Sequence, residues 1–183
     1  MSQVPRLASF VAAIVLVASI SGCGTGDIAG ETSTSMNPDQ DAQTEKELRT
    51  KPSLEAARTE YKAAVATMAD GVAALIPGTT WQFAQDTWTG CSGAYGAAKA
   101  KQAYVLAAFS GPIPDAIWPK ALQITKHGAA PFGTTEYGTF KDQPGDHDIY
   151  LAGSDGVEFR LGTKESSTLM GQSDCRLSEA DRE

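Results

Sequence analysis

The chain has 183 residues, which allows one folded domain with flanking segments, and its 42% hydrophobic content is sufficient for a buried core. Its formal net charge is −7. Because nucleic-acid binding needs Lys and Arg to neutralise phosphates, an acidic chain without basic runs argues against a nucleic-acid partner. The same charge argues against a polybasic attachment to anionic lipid headgroups.

The first 23 residues combine a short positive segment, an apolar run and a cysteine. Arg6 precedes the apolar run 7–20, which is too short to span a bilayer comfortably. The run ends in Ile-Ser-Gly-Cys, and small residues before a cysteine are typical of the cleavage site of bacterial lipoproteins. We therefore predict a signal peptide at 1–22, a diacylglyceryl and palmitate anchor on Cys23, and a location on the outer face of the cell membrane. The alternative is an ordinary signal peptide followed by an unrelated cysteine.

Removal of Cys23 from the count leaves two cysteines, Cys91 and Cys175. An even pair in an exported chain predicts a disulfide. The alternative, a metal or redox site, would need a CxxC motif or nearby histidines, and the sequence has neither. We therefore predict no metal and no cofactor.

Residues 24–50 contain Gly, Ser, Thr, Asp and Gln with almost no apolar bulk and no aromatic residue. Such a segment buries too little surface to offset the entropy of ordering it. We therefore predict that 23–50 is the lipidated cysteine with a flexible tether, and that 51–183 is the globular domain.

Hydrophobic spacing predicts the elements of this domain in order. Ser53 is a candidate N-cap for a helix whose apolar residues recur at three- and four-residue steps until Pro77-Gly78. Two strands are predicted at 80–84 and 104–109, with a Gly-rich loop at 88–96 between them, and then a helix at 115–127. The last predicted strands lie at 134–141, 148–152, 157–161 and near 167–177.

The predicted order is therefore α-β-β-α-β-β-β-β. Short turns, such as Ser154-Asp155-Gly156, imply antiparallel pairing, and two helices suffice to cover one face of a sheet. We predict a two-layer α+β domain in which an antiparallel sheet of about five or six strands carries two helices on one face.

Several short sequence motifs resemble those of the mycobacterial LppA/LppV lipoprotein family. They are KPSLEAA at 51–57, ALIPG at 74–78, GPIPD at 111–115 followed by Trp118-Pro119, DQPGDHD at 142–148 and SDCRL at 173–177. The resemblance implies a membrane-anchored lipoprotein. It supplies no reaction, since the family has no established enzymatic activity.

Two histidines are the candidates for proton-transfer chemistry. His127 ends a predicted helix, where a cation interacts favourably with the helix dipole. His147 lies between Asp146 and Asp148, and flanking carboxylates could orient it as a base or form a weak cation site. However, neighbouring residues of a strand point to opposite faces, so both carboxylates cannot hold one ion together with His147.

Trp88 and Tyr95 in the Gly-rich loop are candidates for a binding loop, with the alternative that both pack against the disulfide. We predict a non-enzymatic envelope lipoprotein that binds an unknown protein or lipid. One alternative is a carrier of apolar ligands, which needs a cavity of several hundred cubic ångström between helices and sheet. The other is a hydrolase that uses His147.

Overall fold

A computed structural model of the protein describes residues 38–182, which belong to the unit Ser35–Glu183. The predicted signal peptide 1–22, the predicted lipid site Cys23 and the first part of the predicted tether, 24–37, lie outside the described residues. The helices are α1 (Pro38–Thr50), α2 (Leu54–Ala73), α3 (Gly93–Ala97) and α4 (Trp118–Ala129). The strands are β1 (Trp81–Gly90), β2 (Lys101–Phe109), β3 (Glu136–Gln143), β4 (Asp146–Ala152), β5 (Glu158–Thr163) and β6 (Ser167–Gln172).

The six strands form one sheet in the order β1-β2-β6-β5-β4-β3, and every neighbouring pair is antiparallel. The last four strands follow one another as a meander, and the pairing of β6 with β2 joins this meander to the early β1–β2 pair. The predicted α+β class, the antiparallel sheet and its number of strands are confirmed. None of the helices in residues 38–182 has the length and apolar character needed to cross a bilayer.

Helix α2 begins where the sequence predicts it. The hydroxyl of Ser53 accepts a hydrogen bond of 3.1 Å from the backbone N–H of Ala56, which satisfies one of the free donors of the first turn. Pro119 lies in the first turn of α4, where its missing N–H removes no helix hydrogen bond. Both helices pack on the same face of the sheet, as predicted.

The main core fills the space between these two helices and the sheet. In β2, β4 and β5 every second side chain points to the helices and is buried. Phe159 is stacked on Tyr61 with ring centroids 5.4 Å apart, and Phe132 packs edge-on against Phe159 at 5.0 Å. The other large members of the main core are Val65, Met68, Val72, Val105, Phe109, Ile113, Trp118, Ile149, Leu151, Leu161 and Leu169.

The two edge strands, β1 and β3, each contain an irregularity in pairing. The register of β1 shifts between Phe83 and Gln85, and that of β3 shifts between Thr139 and Lys141. Strand β1 also runs to Gly90, well past the predicted end at 84, because the extra residue interrupts the alternation from which the strand was predicted.

The prediction of a flexible tether through residue 50 is wrong for residues 38–50, which form helix α1. Composition alone did not predict this helix, because it has few apolar residues. One side chain, Leu48, is fully buried and contacts a cluster formed by residues from the far end of the chain. Lys51, just after the helix, forms ion pairs of 3.0 Å with Asp174 and 3.1 Å with Asp155. Docking through Leu48 and Lys51 provides the interactions that α1 lacks internally.

The predicted disulfide is present: Cys91 and Cys175 are bonded, with their Cα atoms 6.3 Å apart and a sequence separation of 84. Leu48, Ala100, Cys175 and Leu177 form a small buried cluster around it, which we call the disulfide cluster. The bond therefore ties the end of β1 to the C-terminal segment and to helix α1.

Candidate functional site

His147 is buried and held by two carboxylates, neither of which is a neighbour of it in sequence. Its Nδ1 lies 2.8 Å from Oδ1 of Asp142, and its Nε2 lies 2.9 Å from Oδ1 of Asp115. The ring also stacks on Trp118, with centroids 4.6 Å apart. Both ring nitrogens are therefore engaged, and only a protonated imidazole donates to both carboxylates.

One partner of His147 lies in the same hairpin, and the other is distant in sequence. Asp142 is directly opposite His147 in the β3–β4 pairing, so the Pro-Gly turn at 144–145 was the signal that could have identified it. Asp115 lies 32 residues away, and no local pattern indicated it. The N–H of Gly145 donates to Asp115, and this bond together with His147 lowers the pKa of the Asp115 carboxyl.

The two carboxylates next to His147 in sequence have other partners, which agrees with the prediction that they do not hold one ion together with His147. Asp146 accepts from Lys141 at 3.1 Å, and Asp148 binds Arg160 with both of its oxygens. A general base needs a nitrogen that can reach a substrate proton. Both ring nitrogens of His147 face carboxylates and the residue is 8% exposed, and through Asp142 and Asp115 it links the β3–β4 hairpin to the segment just before α4.

The predicted binding loop is not a loop. Trp88 lies in strand β1, where its ring is half exposed and Nζ of Lys101 is 4.3 Å from its centroid. Tyr95 lies in the short helix α3 and packs against the disulfide cluster, which is what the alternative interpretation expected of it. The two aromatic side chains therefore belong to different elements, because β1 extends past its predicted end to Gly90 and the segment after Cys91 forms the short helix α3.

A groove of about 640 Å³ runs along the outer surface between α2 and α4. Its floor contains Met68 and Ile124, and small residues allow the helices to approach each other there. A Cβ atom added to Gly128 would lie 2.4 Å from Cγ of Met68, and one added to Gly71 would lie 3.2 Å from Cγ2 of Ile124. The groove therefore has an apolar floor at a close helix crossing.

The rim of the groove is positively charged. Lys120, Lys126 and His127 line it from α4, and its remaining lining residues are uncharged. Nζ of Lys126 lies 3.9 Å from the ring centroid of Tyr137 in β3, a cation–π contact that orients the ammonium group. His127 lies in the last turn of α4, as predicted. The sequence did not predict that it lines this groove.

This groove differs from the cavity that the carrier alternative required. The carrier needed space between helices and sheet, but that layer is occupied by buried side chains such as Val65, Leu161 and Leu169. The observed groove lies between the two helices and opens to solvent. Within residues 38–182 there is also no group of three or more His, Cys, Asp or Glu residues placed to hold a metal ion.

Comparisons with known proteins identify the family. A family model described as "LppA: Lipoprotein confined to pathogenic Mycobacterium" matches residues 29–179. The chain is 31% identical over 186 residues to a Mycobacterium tuberculosis protein named "Putative lipoprotein LppA", with 94% of this chain and 83% of the relative covered. It is 28% identical over 191 residues to LppB of the same organism, with the same shares covered.

A solved structure agrees with this assignment. The crystal structure of LppA from Mycobacterium tuberculosis superposes with a TM-score of 0.69 at 26% identity, covering 79% of this chain and 90% of that one. The fold, the sequence matches and the motifs noted above are therefore consistent with one another, and the chain belongs to the LppA family of mycobacterial lipoproteins.

Proposed function

We propose that this lipoprotein is a non-enzymatic binding protein of the cell envelope, held on the outer face of the membrane by the acylated Cys23, and that it binds its ligand in the groove between α2 and α4. The observation that carries the proposal is the groove itself, which combines an apolar floor with a charged rim and has a volume of about 640 Å³. Sites for small ligands are concave and mostly apolar, with a few polar groups that fix orientation.

The geometry of His147 supports a role without catalysis. Its two nitrogens are bound by Asp142 and Asp115, and its ring is covered by Trp118. Catalytic proton transfer would require that this arrangement open, at the cost of two charge-assisted hydrogen bonds. The hydrolase alternative would be favoured by turnover of an ester or peptide panel that is lost in His147→Gln, whereas we expect no turnover by either protein.

The lipid anchor has its own test. Cys23→Ser should release the exported protein from the membrane fraction into the soluble fraction, and the intact mass of the natural protein should exceed that of the chain 23–183 by the mass of its acyl groups. An unlipidated chain cleaved at another position would contradict the anchor.

The groove can be tested with a neutral dye whose fluorescence rises in apolar surroundings, such as Nile red, added to the mature chain carrying Cys23→Ser. We expect saturable binding that is lost in Thr67→Trp, because a tryptophan at this exposed lining position fills the groove. The matched control is Thr59→Trp, since Thr59 is also exposed on α2 and also donates to the carbonyl four residues earlier. Absence of saturable binding, or equal loss in both variants, would overturn the proposed site.

A further inference from the structure

We propose that the ligand of this groove is a single-chain anionic amphiphile, whose acid group is bound by Lys120, Lys126 and His127 and whose hydrocarbon chain lies along the groove over Ile124. This inference rests on the proposed function and specifies the chemical class of its ligand. It is carried by the charge of the rim, by the chemistry of the floor and by the position of the groove.

The rim carries positive charge that no neighbouring carboxylate neutralises. Helix α4 has three basic residues and no Asp or Glu. Within residues 38–182, none of these three residues forms an ion pair. By contrast, Arg58 and Lys62 on α2 share the carboxylate of Asp86 at 2.5 and 2.7 Å.

This local charge is opposite in sign to that of the protein as a whole, which has a formal net charge of −7. A carboxylate or phosphate bound at the rim would supply the missing counter-charge and accept charge-assisted hydrogen bonds from the lysines. Electrostatic complementarity of this kind mainly determines specificity, so we expect the groove to distinguish ligands by the charge of their headgroups.

The floor is suited to a flexible chain. Met68 is buried beneath Gly128, and the half-buried Ile124 lies against Gly71, so Ile124 is the large apolar side chain that the floor offers to a ligand. The volume of about 640 Å³ lies within the range of sites that enclose small ligands.

Tyr137 is a positioning residue in this arrangement. It projects from the edge strand β3 and holds the ammonium group of Lys126 over its ring at 3.9 Å. A lysine held in this way keeps part of its side-chain order before the ligand arrives, which reduces the entropy lost on binding.

The occupant of the groove is a single amphiphile molecule and not the surface of a membrane. Binding of a helix to a bilayer surface requires large apolar side chains that enter the acyl region. The exposed large apolar residues of the described chain are Trp88, Tyr137 and Phe140, and all three lie on strands β1 and β3. Helix α4 presents lysines and a histidine, and the apolar atoms of the groove lie below them.

The experiment compares amphiphiles that share a twelve-carbon chain and differ in headgroup: dodecanoate, dodecanol and dodecyltrimethylammonium. Each is titrated into the mature chain carrying Cys23→Ser, below its micelle concentration, with displacement of Nile red as the signal. We expect dodecanoate to bind about tenfold more tightly than dodecanol, the effect of a charge-assisted hydrogen bond, and dodecyltrimethylammonium to bind most weakly.

The variants separate the headgroup from the chain. Lys120→Gln with Lys126→Gln should lower the affinity for dodecanoate about tenfold and leave that for dodecanol unchanged. Tyr137→Leu should produce a smaller loss of the same selectivity. The matched control is Lys164→Gln, an exposed lysine in the turn between β5 and β6 that lies outside the groove.

The outcomes distinguish this inference from the proposed function. Equal binding of dodecanoate and dodecanol would overturn the anionic class while leaving the groove as a binding site. Lysine-dependent binding of anionic vesicles without binding of monomeric dodecanoate would also overturn it, in favour of a membrane surface. Failure of Nile red and of all three amphiphiles to bind would remove both proposals.

Discussion

The domain contains two buried regions that are stabilised in different ways. The main core between sheet and helices has many large apolar side chains, such as Phe159 and Leu161, and depends on buried area. The disulfide cluster has only four buried members and lies where α1 meets the C-terminal segment. It depends on a covalent bond and on the ion pairs of Lys51. Truncation of one side chain should therefore lower the stability of the whole fold in the first region, and should unfold only a local segment in the second.

The largest effect is expected from Phe159→Ala. Phe159 is fully buried between Tyr61 and Phe132, and truncation of a core phenylalanine costs about 3–5 kcal/mol of unfolding free energy. Urea denaturation followed by far-ultraviolet circular dichroism measures this loss. The control is Phe140→Ala, since Phe140 is mostly exposed and its removal, which costs only its surface contacts with Tyr150 and Arg160, should change the stability by about 1 kcal/mol. Similar losses in both variants would contradict the distinction between buried and exposed rings.

The next largest effect is expected from removal of the disulfide by Cys91→Ser with Cys175→Ser. We expect a loss of about 2–4 kcal/mol, because the unfolded chain gains the freedom of an open loop. Hydrogen exchange should show that amides around Ala100 and Arg176 lose protection while those of β5 keep it. A uniform loss of protection across the sheet would show that the two regions are not separable.

A smaller effect is expected from Leu48→Ala. Leu48 is the fully buried side chain through which α1 contacts the disulfide cluster, and its truncation should cost about 2 kcal/mol, at the lower end for buried leucines, because a peripheral site can relax. Limited proteolysis should then cut within 38–50 and leave the rest of the domain intact. Lys46→Ala, at an exposed position on the same helix, should leave the protease pattern unchanged.

The smallest effect concerns pH and the link between the β3–β4 hairpin and α4. The N–H of Gly145 and His147 lower the pKa of Asp115, so the ionised carboxylate stabilises the fold above its ordinary pKa of about 3.9. That contribution is lost as the pH falls through the lowered value. Asp115→Asn should therefore lower the melting temperature slightly at pH 7 and leave it unchanged at pH 2. Glu165→Gln, in the exposed turn after β5, is the control, and an equal effect of Asp115→Asn at both pH values would contradict the role of its charge.

Local patterns predicted most of the main core, because its elements depend on residues close in sequence. The Ser53 cap, the Ser154-Asp155-Gly156 turn and the alternation in β5 each involve a few consecutive residues, and the apolar stripe of α2 repeats at three- and four-residue steps within one helix. The pairing of Cys91 with Cys175 was predicted from the number of cysteines, since the predicted assignment of Cys23 to the lipid anchor left only one partner for each.

Asp142, five residues from His147, was missed although the Pro-Gly turn signals it, whereas three other missed features depend on contacts between distant parts of the chain. Helix α1 forms because Leu48 meets Cys175 and Leu177, and no composition rule reports a partner more than a hundred residues away. Asp115 reaches His147 across 32 residues. The groove needs the crossing of α2 and α4, which the pattern of either helix alone does not fix.

The irregular edge strands have a consequence for how many copies can share one membrane. Acyl anchors confine lipoproteins to a surface, where neighbours meet far more often than they do in solution. A flat edge strand would then act as a template for sheet-to-sheet polymerisation. Here β1 and β3 are each interrupted by a shift in register, near Phe83 and near Lys141, so neither offers an unbroken row of free backbone groups. The fold is thereby compatible with dense display as separate molecules.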